Sequence, residues 1–253
     1  MNEQTRIFGI RTVIEAIDSN ESIEKIYVQK GISGPLFQEL NRKIKEGNFS
    51  ISYVPIEKLN KLANGNHQGV VANISPIQFV SLEDLMNSME NSESTPLFLL
   101  LDGLTDVRNF GAIIRTAECC GVNGIIIPEK GSAPINADAV KTSAGAVFKI
   151  PICKVSHIKD AVFYLQSYGV KLLAATEKTD TVIYDVKLDQ PLGIIMGNEG
   201  VGVSKSVLKA SDFTAKLPLL GSIESLNVSV ACGAFLYEVV RQRIVPLAPE
   251  AGI

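Results

Sequence analysis

Three segments of the chain place polar and charged side chains beside glycines, where ligand binding and chemistry are expected. The first, residues 102–128, reads as a strand, a polar loop, a helix, a glycine turn and a strand. We expect Asn109 to cap the helix through free backbone N–H groups. Arg108, Gly111 and Arg115 share another face, which we interpret as admitting a partner's backbone while the guanidinium groups hold phosphate. A capped helix with solvated arginines is the alternative.

The second segment is an apolar strand that breaks into a glycine-rich loop, GIIMGNEGVGVSK at 193–205. Its spacing is G-x-x-G-x-G, which differs from both the dinucleotide fingerprint and the phosphate-binding P-loop. The carboxylate of Glu199 would also repel a pyrophosphate. The loop therefore favours a ligand held through backbone groups, such as a nucleoside.

The third segment introduces a long helix, with Ser225 and Asn227 before its start at residues 222–243. Ser and Asn are ordinary helix caps, so capping alone is the simplest interpretation. An apolar face is expected along the helix, formed by Val228, Ala231, Phe235 and Val239.

The composition constrains function only weakly. The formal net charge is −3, so an RNA-binding surface would have to come from the arrangement of charges. The four cysteines lack CxxC spacing and no metal-ligand cluster is evident, which predicts reduced thiols and no metal. Because no apolar run reaches about 20 residues and no signal peptide is evident, we expect a cytoplasmic protein without a membrane span.

The hydrophobic pattern predicts two unequal α/β domains. Residues 1–75 alternate short strands and helices, 76–96 are polar and read as a linker, and 246–253 form a tail. From 97 to 245, four apolar runs predict buried strands of a mostly parallel sheet with intervening helices: 97–101, 124–128, 171–175 and 192–196.

Together and in order, the three segments resemble the SpoU branch of the SPOUT RNA 2'-O-ribose methyltransferases. The family's motifs match N-x-G-x-x-x-R at 109–115, M-G-x-E-G-x-G at 196–202 and S-L-N-V-S at 225–229. The resemblance spans 97–243, and residues 8–10 and 67–70 resemble the family's small L30e-like RNA-binding domain. Val107 departs from the proline of many relatives, which changes loop stiffness but removes no functional group.

The resemblance implies a sheet domain tied in a trefoil knot and S-adenosylmethionine as the cofactor. Positions matching the cofactor pocket are Gly197, Leu217 and Leu226. Arg115 matches the arginine thought to activate the ribose 2'-hydroxyl. The residues that match those positioning the substrate and this arginine are Asn109, Glu199, Ser225 and Asn227.

The chemistry of Arg115 allows two roles, because the pKa of arginine lies above about 12. The substrate phosphate could help Arg115 accept the hydroxyl proton, or Arg115 could only orient and stabilise an emerging alkoxide. A histidine base is not favoured, because His67 and His157 fall outside the three motifs.

The layout looks most like the bacterial enzymes that methylate a guanosine ribose in 23S rRNA, acting as homodimers whose site needs both chains. Three alternatives stay open: a tRNA ribose substrate, an rRNA methylase that confers antibiotic resistance, and a non-catalytic RNA-binding module. Intact Asn109, Arg115, Glu199, Ser225 and Asn227 argue against the last.

Overall fold

A computed structural model of the 253-residue chain describes residues 6–90, 92, 94–223 and 225–244. The chain divides into two compact units. One extends to Gln78 and includes Pro134–Asp138; the other comprises Phe79–Ala133 and the chain from Ala139 onward. The domain limits 1–75, 76–96 and 97–245 stay predictions, and the predicted tail at 246–253 lies outside the described residues.

The smaller unit is a four-stranded mixed sheet with helices. Its elements are β1 (Arg6–Phe8), α1 (Ile10–Asp18), β2 (Ile23–Gln29), α2 (Pro35–Glu46), β3 (Ile51–Val54), α3 (Ile56–Leu62) and β4 (Val70–Ile74). The strand order is β1-β4-β2-β3, with β2 and β3 parallel and β4 antiparallel to both its neighbours. Short strands and helices alternate along this part of the chain, as expected. Val13, Ile26, Leu40 and Val70 are fully buried between the sheet and the helices.

The remaining elements are six strands, which form one sheet that is parallel throughout, and the helices that accompany them. They are α4 (Leu82–Asn87), β5 (Leu97–Asp102), α5 (Val107–Cys119), β6 (Gly124–Pro128), α6 (Ala137–Thr142), β7 (Ile152–Val155), α7 (Ile158–Ser167), β8 (Lys171–Ala175), β9 (Leu192–Gly197), α8 (Lys205–Ala210), β10 (Phe213–Ala215) and α9 (Val228–Ile244). The strand order is β10-β8-β9-β5-β6-β7. The parallel sheet predicted from the apolar runs is confirmed, because these strands are covered on both faces. The trefoil knot stays a prediction.

The polar segment before β5 contributes to the core of the larger unit. Ser81 caps α4 by accepting a 3.0 Å hydrogen bond from the Asp84 N–H, and Leu85 and Met86 are buried. The Val80 N–H donates to the Ile152 carbonyl at 3.0 Å. Short amphipathic stretches of this kind are stabilised by packing rather than by propensity.

Helix α9 buries the face that its sequence pattern predicts. Val228, Phe235 and Val239 are buried within the chain, and α9 packs against α5 and β9. Near the end of the helix, the Gln242 side chain donates a 3.0 Å hydrogen bond to the Val186 carbonyl, which holds α9 against the rest of the unit. Of the helices described, none combines the length and apolar character needed to cross a membrane.

Candidate active site

The carboxyl ends of β5 and β9 lie side by side, and the loops that leave them are joined. Asp102 is the register partner of Gly197 in the parallel pair. The Asp102 carboxylate accepts a 2.8 Å hydrogen bond from the Ser204 N–H, and the Asn198 side-chain amide donates to the Gly103 carbonyl at 3.1 Å. These bonds fix the glycine-rich loop beside the start of α5, at the sheet edge where ligands bind in parallel α/β folds.

The glycine-rich loop folds back on itself around Asn198. The Asn198 side-chain oxygen accepts from the Gly200 N–H at 2.7 Å, and the Gly202 N–H donates to the Asn198 carbonyl at 2.8 Å. A Cβ on Gly197 would overlap the backbone of Gly202 and Val203, so only glycine fits there. Sequence reasoning missed Asn198 and Asp102; an Asn within a glycine loop, typical of an Asx turn, was the available signal.

The expectation that Asn109 caps α5 is wrong. The helix begins at Val107, and Asp106 is its cap, accepting a 2.7 Å hydrogen bond from the Asn109 N–H. A cap must precede the first helical residue, whereas Asn109 lies inside the first turn. Its side chain is therefore available for contacts outside the helix.

Asn109 joins the three sequence motifs through its side chain. Its Nδ2 donates to Glu199 Oε1, and its Oδ1 accepts a 3.1 Å hydrogen bond from Asn227 Nδ2. Asn227 Oδ1 in turn accepts from the backbone N–H and the hydroxyl of Ser229, at 2.9 and 2.6 Å. We call Glu199, Asn109 and Asn227 the polar chain.

The direction of the polar chain is fixed at both ends. The Asn109 NH₂ group donates to Glu199 Oε1, which leaves Asn109 Oδ1 to accept from Asn227. The Ser229 backbone N–H can only donate, so the Asn227 oxygen must face that group and its NH₂ must face Asn109. Each amide therefore has one possible orientation, which holds the Glu199 carboxylate in place. Asn227 also caps α9, as its position before the helix predicts.

A cavity of about 660 Å³ lies beside the polar chain. The three positions predicted to bind cofactor, Gly197, Leu217 and Leu226, all line it, as do Glu199 and Ser225. Sequence reasoning missed other lining residues, which supply an apolar wall and a cation: Met196, Phe235 and Lys178. The volume falls within the usual range for small-molecule sites, and the mixture of apolar and polar groups suits a nucleoside with a charged substituent.

Ser225 lines the cavity but makes no hydrogen bond to the described residues. Its hydroxyl is exposed, so it is available to a ligand or substrate.

Arg115 is not brought to the polar chain within one copy of the protein. It follows Asn109 by six residues on α5, which places it about 9 Å further along the axis and about 120° around it. The side chain is exposed, does not line the cavity, and makes no hydrogen bond or ion pair to the described part of the chain. Arg108 is exposed on the same helix.

The interpretation of Gly111 as an opening for a partner's backbone is wrong. Gly111 is buried, and a Cβ there would overlap the side chain of Thr142 and press on the Ser143 backbone. The glycine lets α5 approach the end of α6 within the chain.

His67 and two buried cysteines lie in surroundings that do not favour chemistry. His67 is buried, with Nε2 2.8 Å from Asn60 Oδ1 and Nδ1 accepting from the Gly69 N–H at 3.0 Å, so both ring nitrogens are occupied. Burial raises the pKa of the Cys120 and Cys153 thiols to about 11, which keeps them protonated. No group of three or more metal-ligating side chains occurs among the residues described.

Two family models match nearly the whole chain. Residues 96–237 match the SpoU rRNA methylase family, and residues 6–80 match the substrate-binding domain of RNA 2'-O-ribose methyltransferases. A protein of Staphylococcus haemolyticus named for the TrmH family of tRNA/rRNA methyltransferases is 36% identical over 241 residues, covering 95% of this chain and 97% of that one.

Solved structures agree with the family models. The SpoU methyltransferase AviRb of Streptomyces viridochromogenes matches with a TM-score of 0.60 and 26% identity, covering 94% of this chain and 89% of AviRb. AviRb has also been solved with AdoMet, S-adenosylmethionine. The A. aeolicus TrmH/SpoU tRNA modifying enzyme matches at 30% identity and a TM-score of 0.55, covering 64% of this chain and 82% of that one. The chain belongs to the SpoU methylase family, the family that its three motifs resemble.

Proposed function

We propose that this methyltransferase transfers a methyl group from S-adenosylmethionine to the 2'-hydroxyl of a guanosine ribose in 23S rRNA. The observation that carries the proposal is the polar chain, which joins the three motifs at the edge of a nucleoside-sized cavity. Family membership supports methyl transfer to RNA. To this we add that the methyl acceptor is a ribose 2'-hydroxyl and that the ribose belongs to a guanosine.

The cavity fits S-adenosylmethionine. Gly197, Leu217 and Leu226 would hold it, and Gly197 lets the loop close on itself at the cavity wall. Related AviRb binds the same molecule. When bound, S-adenosylmethionine supplies the methyl group as an electrophile on a sulfonium.

The protein's own part in the reaction is to hold the ribose and to manage its proton. Glu199 is fixed by Asn109, and its remaining lone pairs can accept hydrogen bonds from a hydroxyl. The free hydroxyl of Ser225 can position the same ribose. Arg115 either accepts the 2'-hydroxyl proton with help from a substrate phosphate, or orients the hydroxyl and stabilises the alkoxide.

A homodimer would bring Arg115 to the site of its partner. Within one chain Arg115 faces away from the polar chain, so a complete set of site residues requires a second copy. The face of α9 that carries Val228, Phe235 and Val239 is buried in the chain itself, but a second stripe of the helix is exposed: Val230, Ala234, Tyr237 and Ile244. The two apolar ends of this stripe, Val230 and Ile244, are 57% and 73% exposed, and a closed two-fold interface would cover such a surface.

The smaller unit would supply further RNA contacts. The ammonium groups of Lys25 and Lys58 lie 5.6 and 5.7 Å from the centre of the Tyr27 ring. Cations around an aromatic ring suit a phosphate chain with unstacked bases. We place this activity in the cytoplasm.

A tRNA substrate is the second candidate, because the Staphylococcus relative is named for both RNAs. The match to the A. aeolicus tRNA modifying enzyme leaves about a third of this chain uncovered, whereas AviRb covers 94% of it. A chain with its own substrate-binding unit favours the larger and more structured rRNA.

Methylation of purified 23S rRNA, 16S rRNA and tRNA transcripts, followed by mapping of the modified nucleotide, tests this function. The expected product is a single 2'-O-methylguanosine in 23S rRNA. A methyl group on a base, or on tRNA alone, would overturn the corresponding part of the proposal.

A further inference from the structure

A second concave surface lies between α7 and α8, outside the cavity described above. It encloses about 550 Å³ and is lined by Lys159 and Phe163 of α7 and by Lys205, Ser206, Lys209 and Ala210 of α8. Helices α7 and α8 pack directly against each other. We call this surface the lysine groove.

The charges of the lysine groove are uncompensated within the described part of the chain. Lys159, Lys205 and Lys209 make no ion pair there, and no carboxylate is among the residues that line the groove. Three unpaired cations gathered in one concavity stand out in a chain of net charge −3. Such a concentration of positive charge favours a polyanion.

Phe163 gives the groove an aromatic surface. Its side chain is 51% exposed, and the Lys159 ammonium lies 5.4 Å from the ring centre. About half of the residue's surface is therefore open to a ligand. Beside three lysines, it provides a face on which an unpaired base can stack.

The groove lies at the sheet edge that carries the active site. Lys159 is in the first turn of α7, which follows the carboxyl end of β7, and Lys205 begins α8 directly after the glycine-rich loop. Because all six strands are parallel, these helix starts and the polar chain share one edge. One extended ligand could therefore contact both.

We propose that the lysine groove binds a single-stranded part of the RNA substrate, with the three lysines on phosphates and Phe163 stacked on a base. The inference rests on the proposed function, since it assigns a second contact for the same RNA. Charge and an exposed ring together favour RNA over an acidic protein, whose carboxylates would use the lysines but leave Phe163 without a role.

The test measures binding of the full-length protein to a 20-nucleotide hairpin RNA with a single-stranded 5' extension, across a range of salt concentrations. Replacing Lys159, Lys205 and Lys209 with Gln should weaken binding roughly 100-fold at 0.1 M salt and reduce the salt slope by about two. Phe163→Leu should weaken binding about fivefold with the salt slope unchanged. The matched control replaces Lys149, Lys171 and Lys187 with Gln, because each of them faces a carboxylate in the larger unit.

Equal losses in the groove variant and the control variant would show that only net charge matters and would overturn the proposal. Wild-type RNA affinity and wild-type salt dependence in the groove variant would overturn the proposal too. This holds even if the same variant failed to bind an acidic protein, which would then be the occupant of the groove. S-adenosylmethionine binding, measured alongside, separates the two proposals. A wild-type protein that binds the hairpin but methylates no RNA would refute the function and leave the groove supported.

Discussion

Asn227 Nδ2 lies 3.1 Å from Asn109 Oδ1, although the two residues are 118 positions apart. This hydrogen bond closes the polar chain, because Asn109 uses its other side-chain group to hold Glu199. Helices α5 and α9 are thereby joined at their N-terminal ends, beside the glycine-rich loop. The candidate site depends on this convergence.

Changing Asn109 to Asp should abolish most activity while leaving the fold intact. The substitution replaces the donor that faces Glu199 with a second carboxylate, so like charges would meet where a hydrogen bond stood. We expect the methylation rate to fall by roughly 100-fold or more with a near-normal Tm. Asn87→Asp, at an exposed position of α4, is the charge-matched control. Full activity in Asn109→Asp would mean that the polar chain has no role in the reaction.

Gly197→Ala should impair binding of S-adenosylmethionine. The added Cβ would overlap the backbone of Gly202 and Val203, so the loop would have to move away from the cavity. Calorimetry should show an affinity loss of at least tenfold, equivalent to about 1.4 kcal/mol. Gly221→Ala is the control, because its Cβ would meet nothing within 4 Å and the residue does not line the cavity. Equal effects in both variants would argue against the close approach at Gly197.

Asp212 should stabilise the larger unit in a pH-dependent way. Burial would raise the pKa of its carboxyl, but hydrogen bonds from Gln166, the Leu172 N–H and Lys171 outweigh burial and lower the pKa. A carboxyl with a lowered folded-state pKa stabilises the fold above its unfolded pKa of about 4, and this stabilisation is lost as pH falls through the folded value.

Asp212→Asn should therefore lower the free energy of unfolding at pH 7 by about 1–3 kcal/mol, with the difference from wild type shrinking below pH ~4. Urea unfolding at several pH values measures this. Asp189→Asn, whose carboxyl is 48% exposed, should change stability by about 0.5 kcal/mol or less. A difference that grows on acidification would contradict the direction of the pKa shift.

Val230→Asp should convert the protein to monomers and remove its activity. Val230 lies on the exposed stripe of α9, and an unpaired charge in an apolar interface is strongly destabilising. Light scattering should give twice the 27.3 kDa chain mass for wild type and a single-chain mass for the variant. Ile56→Asp, on the smaller unit, is the apolar-to-charged control. A fully active monomer would refute the shared site.

The strands and the parallel sheet could be predicted from sequence because each buried strand carries a continuous apolar run, as at Leu97–Asp102. The capping residue of α5 could not be chosen by type alone. Asp106 and Asn109 are both good caps, and the decision depends on where the helix starts.

Residues that meet across the fold escaped pattern reasoning. The contact of Asn109 with Glu199 spans 90 positions, so only the family resemblance connected them. The burial of Gly111 could not be predicted either, because its contact with Thr142 depends on how α5 and α6 pack in the folded chain. The exposed stripe of α9 was likewise not predicted, because the sequence pattern picks out the buried face, whereas the helix also carries apolar residues on a second side.

Arg115 is the residue on which the proposed chemistry depends most directly. Arg115→Lys keeps the charge but loses the planar guanidinium that can hold phosphate and ribose together. Arg108→Lys, at another exposed position of the same helix, should mainly reduce RNA affinity. Single-turnover methylation at saturating RNA removes binding from the comparison. We expect the rate of Arg115→Lys to fall ~100- to 1,000-fold, while the rate of Arg108→Lys stays near wild type. A near-normal rate for Arg115→Lys would show that this arginine only attracts RNA, and would contradict the mechanism.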